Sequence, residues 1–213
     1  MVPAYFHPAS RPDGWALLAT LADRIATVVL NLADGPGDRP DPAFFPALER
    51  LRAGAVTVSG YVDTGYGARP AGQAADELGR YLDWYAVDGV FFDRVPAGPE
   101  HVERYAALAG RARSLGARLV ALNHGAHPVQ GYADHADLLG TFEGPWAAYL
   151  ELAVPRWVRS RPAGRFFHLL HSVPAGCFCD AYRLAARRNA GAAYVTDRAG
   201  SNPWDGLPAG GLR

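Results

Sequence analysis

Asp93 closes the run VDGVFFD and Glu143 closes LLGTFE. Each places a charge directly after a strongly apolar stretch, which is costly unless the group emerges into a polar cleft or meets a partner. Two such carboxyl groups brought face to face can hydrolyse a glycosidic bond: one protonates the leaving oxygen, and the other acts as nucleophile or activates water. Each also has a plainer use. Asp93 suits a turn or a helix cap. Glu143, one of only six glutamates, suits an ion pair with one of the many arginines.

Other polar residues stand where apolar runs stop. Asp34 and Asp63 precede the turns DGPG and DTGYG, where an aspartate's ordinary work is to hold the turn. Asp197, before Arg198, reads as an ion pair or cap. His124 and His127, in NHGAHP, would need His7 or Asp93 to complete a metal set. That set is incomplete and nothing else has zinc spacing, so no metal is expected and these histidines should bond substrate or loop backbone. His168 and His171 differ by an odd number along one run, so in a strand they face opposite sides. Tyr5, Tyr61, Tyr66, Trp84, Phe142 and Trp146 could wall a sugar site, or equally fill a core.

The chain lacks several well-known motifs. There is no G-x-G-x-x-G, no Walker A pattern, no G-x-S-x-G and no H-E-x-x-H. It has no lysine, which removes Schiff-base chemistry. Its 21 basic and 21 acidic residues cancel, so no broad field would gather nucleic acid or anionic lipid. Cys177 and Cys179, in the run CFC, are too close for an ordinary disulfide and read as packed or capping thiols. Nothing near Met1 resembles a signal peptide and no segment reaches the roughly 18 apolar residues of a membrane span, so the chain as written reads as cytoplasmic.

Eight runs rich in Val, Ile, Leu, Phe and Tyr position these candidates: VPAYFHP, IATVVLNLAD, AVTVSGYVDT, VDGVFFD, RLVALNH, ADLLGTFE, RFFHLLHS and AAYVTD. They recur at roughly 20 to 32 residues, which suits a strand plus a crossover helix, and most are apolar on consecutive positions, as in parallel strands covered on both faces. Between them, Asp41 and Pro42 open a helix whose apolar stripe is Phe45, Leu48 and Leu51 and which Gly54 ends. A second runs from Pro99 to Gly116, with weaker helical signals around Trp15–Ile25, Ala74–Tyr85 and Asp180–Asn189. Only QGYADH separates the fifth and sixth runs, so that crossover is a short helical turn. The last 13 residues, from Ser201, are Gly- and Pro-rich with no helical period.

Eight such units can close into a (β/α)8 barrel or, with one or two runs misread, form an open doubly wound sheet. The barrel is favoured because its strand ends converge on one face and would gather the polar residues named above. At 213 residues, with no visible internal boundary, this is a single compact TIM-type barrel domain, 1–213, with short or degenerate fifth and last helices.

The motifs AYFHP, VLNLADGPG, GYVDTGYG, VDGVFFD, NHG and TFEG, in that order, resemble the spherulation-specific family 4 (spherulin-like) proteins. The resemblance implies a (β/α)8 barrel and, in characterised relatives, a glycoside hydrolase acting on galactosaminogalactan, an α-1,4-linked galactosamine-containing polysaccharide. The family pattern carries an Asp-Glu pair after the fourth strand and a Glu after the sixth. Asp93 and Glu143 match the first and last, but position 94 is Arg where the family usually has Glu. Leu32 and His124 likewise stand where Pro is common. Relatives are often exported.

These residues together predict a monomeric carbohydrate-active barrel with Asp93 and Glu143 as catalytic carboxylates. Tyr5, His7, Asp34, Asp63, Tyr66, Arg94, Asn123 and His124 are expected around an oligo- or polysaccharide, with no cofactor. A guanidinium beside Asp93 would favour its ionised form, making it the nucleophile or base and Glu143 the acid. If the missing glutamate were essential, the barrel would bind sugar without cutting it. A third reading, an isomerase or lyase for phosphorylated substrates, would use HSVPAGC and TDRAGSN as a phosphate loop.

Overall fold

The structure, a computed structural model, describes residues 1–212. All eight apolar runs become strands: β1 (Val2–Ala4), β2 (Val28–Leu30), β3 (Val58–Asp63), β4 (Gly89–Asp93), β5 (Leu119–Asn123), β6 (Leu138–Pro145), β7 (Phe166–His171) and β8 (Ala192–Val195). Each pairs in parallel with the next, in sequence order. The sheet curls into a nearly closed barrel, and residues of both edge strands, Val2 and Tyr194 among them, line one small crevice where those edges meet.

Helices α1 (Pro12–Leu18), α2 (Phe45–Ala53), α3 (Ala71–Tyr85), α4 (Val102–Ser114), α5 (Trp146–Leu150), α6 (Arg156–Arg159) and α7 (Phe178–Arg187) cover the outside. Asp41 opens the α2 region as its residue type predicts, its side chain accepting from the Ala43 N–H at 2.9 Å. The buried stripe there is Phe44, Leu48 and Leu51, not Phe45, which turns to solvent. The β5–β6 crossover is a single 3-10 segment, Gln130–Asp134, and the chain after β8 is irregular. The short helices α5 and α6 were not legible: at 5 and 4 residues they carry no full apolar period. No described helix is long and apolar enough to cross a membrane.

Side chains alternate across each strand. Tyr61 stacks on Phe91, with centroids 6.2 Å apart, and Phe91 packs on Phe167 at 5.9 Å, forming an aromatic layer inside the barrel. Outward residues meet helices. A Cβ at Gly60 would lie 2.5 Å from the Tyr81 ring, so the absent side chain lets α3 seat directly on β3. A second cluster outside β6 to β8 joins Phe142, Tyr149, Leu170, Phe178 and Val195. With apolar residues packed on both faces of the sheet, polar side chains collect at the strand ends.

Candidate active site

Asp93, Asn123 and Glu143 end up together at the carboxyl ends of β4, β5 and β6, lining a cavity of about 460 Å³. Asp93 and Asn123 need only ordinary strand alternation. Two residues below Asp93, Phe91 faces the barrel interior, so Asp93 does too.

Glu143 needs a bulge. Gly140 pairs with Phe167 and Phe142 with His168, leaving Thr141 as an extra residue in β6. Thr141 and Phe142 both face outward: the Thr141 hydroxyl lies 3.0 Å from His168 Nε2, and Phe142 packs on Tyr149. Gly140 and Glu143, three apart, can therefore both face inward, which a regular strand forbids. Gly140 is required there, because a Cβ would fall 2.2 Å from Asn123 Oδ1.

The Asn123 amide holds the pair. Its Nδ2 donates to Asp93 Oδ1 at 2.7 Å and to Glu143 Oε2 at 2.5 Å. Those two oxygens are thus no more than about 5.2 Å apart, and about 4.5 Å with the amide hydrogens at their usual 120°. The other oxygens also have donors. Tyr61 OH donates to Asp93 Oδ2 at 2.9 Å, and Trp204 Nε1 donates to Glu143 Oε1 at 3.2 Å.

Burial dominates the electrostatics. Desolvation raises both acids above the ordinary carboxylate range, Glu143 to about 7, with the neighbouring Asp93 charge adding to the effect. Asp93 is the better compensated, since Asn123, Tyr61 and the Arg94 backbone N–H all favour its ionised form. Glu143 has two such donors. The two acids are close enough to titrate as a coupled pair, with Glu143 the less compensated member.

The rim follows from the turns after β3 and β4. Asp63 Oδ1 accepts from Gly65 N at 2.7 Å, the turn role its context predicts. Its Oδ2 takes Arg94 Nη1 at 2.9 Å. The guanidinium also lies over the Tyr66 ring, 5.1 Å from the centroid. Arg94 thus pairs with Asp63 and not with Asp93. The expectation that it would hold Asp93 ionised is overturned, because the left-handed backbone at Arg94 (φ 53°) swings the side chain onto the rim. Asp34, Tyr66, Arg94 and Ser172, four of the seven described non-glycine residues with positive φ, follow strands on this face. Such strain gathers at functional sites.

The remaining candidates divide. Tyr66 is exposed and lines the cavity. Tyr5 packs edge-on against Tyr61 at 5.3 Å and lies close enough to Asp93 and Glu143 for both charges to raise its pKa further, after the larger effect of burial. His7 is not at the site. It bonds Asp41 at 3.0 Å across a surface loop. Asp34 is exposed on the loop after β2 and is not part of the cavity lining. His124 contributes lining, but its imidazole is buried away from the sugar-sized space, bonding Pro96 O at 3.0 Å and packing on Tyr132 at 4.6 Å. It follows the inward-facing Asn123, so it must face outward, and burial lowers its pKa to about 4. Among the described residues no three His, Cys, Asp or Glu side chains gather to hold a metal.

In the segment HSVPAGC, part of the backbone that a phosphate loop would use is already engaged. The N–H groups of Ser172 and Val173 are already bonded to Arg198 O and Thr196 O at 2.8 and 3.0 Å. They are therefore not offered to an anion. Two site residues escaped the sequence reading. His171 ends its apolar run and lines the cavity beside Glu143. Trp204 lies in the irregular tail, where the only signal was a bulky aromatic among Gly and Pro.

The family model of spherulation-specific family 4 matches residues 1–210. The chain belongs to that family. Spherulin-4 of Physarum polycephalum is 27% identical over 211 residues, covering 93% of this chain and 63% of that protein. This family 4 chain therefore spans less than two thirds of that relative's length. Among solved structures, Aspergillus clavatus Sph3 in complex with GalNAc aligns with a TM-score of 0.84 at 23% identity, covering 98% of this chain and 92% of that one. The chitinase RmChi1 of Rhizomucor miehei aligns at 0.60 and 11% identity, covering 95% and 97%. The β-mannanase of Thermomonospora fusca, bound to mannohexaose, aligns at 0.51 and 14%, covering 96% and 80%. At these identities the likenesses establish the barrel fold.

Proposed function

We propose that this chain is a glycoside hydrolase that cuts an amino-sugar polysaccharide of the α-1,4-galactosamine type, with Asp93 as nucleophile and Glu143 as general acid and then base. The observation that carries this reading is the Asn123 amide clamping one oxygen of each carboxyl group, no more than about 5.2 Å apart, at the floor of a sugar-sized cavity. That separation suits a retaining mechanism, in which no room is needed for a water between carboxylate and sugar. The GalNAc bound to Sph3 supports an N-acetylhexosamine as the recognised unit.

The roles follow from the surroundings. Glu143, its pKa raised to about 7, keeps a proton near neutral pH and gives it to the leaving glycosidic oxygen. Asp93, steadied by Tyr61 and Asn123, attacks the anomeric carbon. Glu143, now ionised, takes a proton from the water that releases the sugar. Tyr66 offers a stacking face on one side of the carboxyl pair, and Gly144, Pro145 and His171 form the other wall. Arg94, at the rim, supplies N–H donors to sugar hydroxyl or acetamido groups.

The test is release of reducing ends from a panel of amino-sugar polymers by the parent, Asp93→Asn and Glu143→Gln. Turnover by the parent and a loss of at least about a hundredfold in each variant is the expected result. Full activity in either variant removes the assignment. A binding-only barrel is the competing reading, favoured by Arg94 at the position after Asp93. Polymer binding by the parent with no reducing ends released supports it instead.

A further inference from the structure

The tail after β8 has no helical or strand period, yet Trp204 is only 5% exposed. Three hydrogen bonds within this segment fix its course, and one from β8 ties it to the barrel. Arg198 Nε donates to Asp205 Oδ1 at 2.6 Å, and Tyr194 OH donates to Gly206 O at 3.2 Å. Ala209 N donates to Asp197 Oδ1 at 3.2 Å, and Trp204 N to Asn202 Oδ1 at 3.1 Å. The indole is wedged edge-on between His171 and Tyr194, with centroids 5.9 and 5.7 Å away. So held, its single polar atom donates to Glu143 Oε1.

Asn123 approaches the other oxygen of the same carboxyl group from β5. Two donors on different elements thus fix the rotation of Glu143, and each oxygen keeps one lone pair for a proton or a substrate. An indole N–H cannot accept a bond or lose its proton in the working range, so it holds the group without competing for the proton.

We propose that Trp204 is a positioning residue for Glu143, and that residues 197–209 form a strap whose purpose is to hold the indole against that carboxyl group. The catalytic consequence rests on the glycosidase reading above; the hydrogen bond and its effect on Glu143 do not. The groups facing Glu143 are Asp93 on β4, Asn123 on β5, His171 on β7, Tyr5 after β1 and Trp204 itself. Burial lowers the pKa of His171 and raises that of Tyr5. Both shifts favour the neutral form, Arg94 at the rim of the same cavity is paired with Asp63, and Asp93 is the neighbour whose charge acts on Glu143.

The test is titration of the Glu143 side-chain carbonyl by carbon-13 NMR in the unliganded parent and in Trp204→Phe, which keeps an aromatic ring and removes the N–H. A donor to a carboxylate favours its ionised form, so its loss should raise the Glu143 midpoint by about one unit. In turnover, the alkaline limb of the pH profile should move up by the same amount. At the optimum, kcat should fall about tenfold with KM changed less than about twofold. A midpoint that stays put or falls overturns the proposal.

A second measurement uses the unaltered protein, in case the variant does not fold. The Trp204 indole N–H resonance should titrate with the Glu143 midpoint in the parent and become flat over that range in Glu143→Gln. An indole signal indifferent to Glu143 ionisation overturns the proposal as well. Failure of every polymer to be cut, with both NMR couplings present, would sink the glycosidase reading and leave the strap standing.

Discussion

Glu143→Gln should stabilise this protein at alkaline pH and slightly destabilise it in acid, a crossing that a buried carboxyl group with a raised pKa produces. Burial and the Asp93 charge raise the acid from its ordinary 4.5 to about 7. A carboxyl group whose folded pKa lies above its unfolded value contributes fully below the unfolded value and loses that contribution as pH rises through the folded one. The interval corresponds to about 3 kcal/mol at 1.36 kcal/mol per unit, all of it lost by pH 8 in the parent. Glutamine takes no charge, so the variant avoids this loss. Its amide, however, has one oxygen for two donors. If the oxygen faces Asn123, the NH2 faces Trp204, at about 1 kcal/mol. The net at pH 8 is a gain of about 2 kcal/mol, or about 4 to 8 °C in Tm for a chain of this length. At pH 4.5 only the lost acceptor remains, and the variant should melt about 2 to 4 °C below the parent. Thermal melts followed by circular dichroism between pH 4.5 and 8.5 read this directly. A Tm difference of constant sign across that range would refute the buried-carboxyl argument, and with it the assignment of Glu143 as an acid tuned by its site.

Three further outcomes follow from the same geometry. Gly140→Ala places a methyl carbon 2.2 Å from Asn123 Oδ1 and 2.6 Å from the Phe167 ring. It should cost about 1 to 3 kcal/mol in denaturant unfolding and lower turnover at least about tenfold, because the clamp itself is displaced. Arg94→Gln breaks an ion pair whose arginine side chain is 50% exposed, so chemical denaturation should show a change below about 1 kcal/mol. Steady-state kinetics should show the effect in KM and not in kcat, since the group stands on the rim; an equal loss in kcat would place it at the reacting atoms. Proton NMR of the first product formed should show the substrate's own anomeric configuration, and inversion would mean that the two carboxyl groups move apart when sugar binds.

The barrel was legible because its evidence is repeated. Eight apolar runs at crossover spacing each report the same architecture, and misreading one stripe, Phe45 for Phe44, moves a side chain without moving an element. Asp93 was legible for a related reason: an acid at the end of an uninterrupted apolar strand has few places to go. Its neighbours were harder. His124 and Arg94 were read by proximity in sequence, yet alternation sends the His124 imidazole to the outside of the sheet, and a left-handed turn sends the Arg94 guanidinium to Asp63. At position 94 the residue type sets the charge, whereas the backbone conformation decides where that charge points.

Glu143 and Trp204 mark the limit. Counting along LLGTFE from Gly140, strict period two puts the glutamate on the opposite face from the glycine that makes room for Asn123. The bulge at Thr141 reverses this, and the isolated Gly140 just before it is the run's one sign of a bulge. Trp204 is further from view, since it reaches Glu143 across 61 positions from a tail with no regular structure. What connects these cases is that the carboxyl pair is built where the regular barrel is interrupted. One acid enters through an extra residue in a strand, the other is followed at once by a strained turn, and the donors that hold the pair come from the next strand and from the irregular tail. A periodic fold can be inferred from period, but a site made from departures from that period requires the contacts themselves.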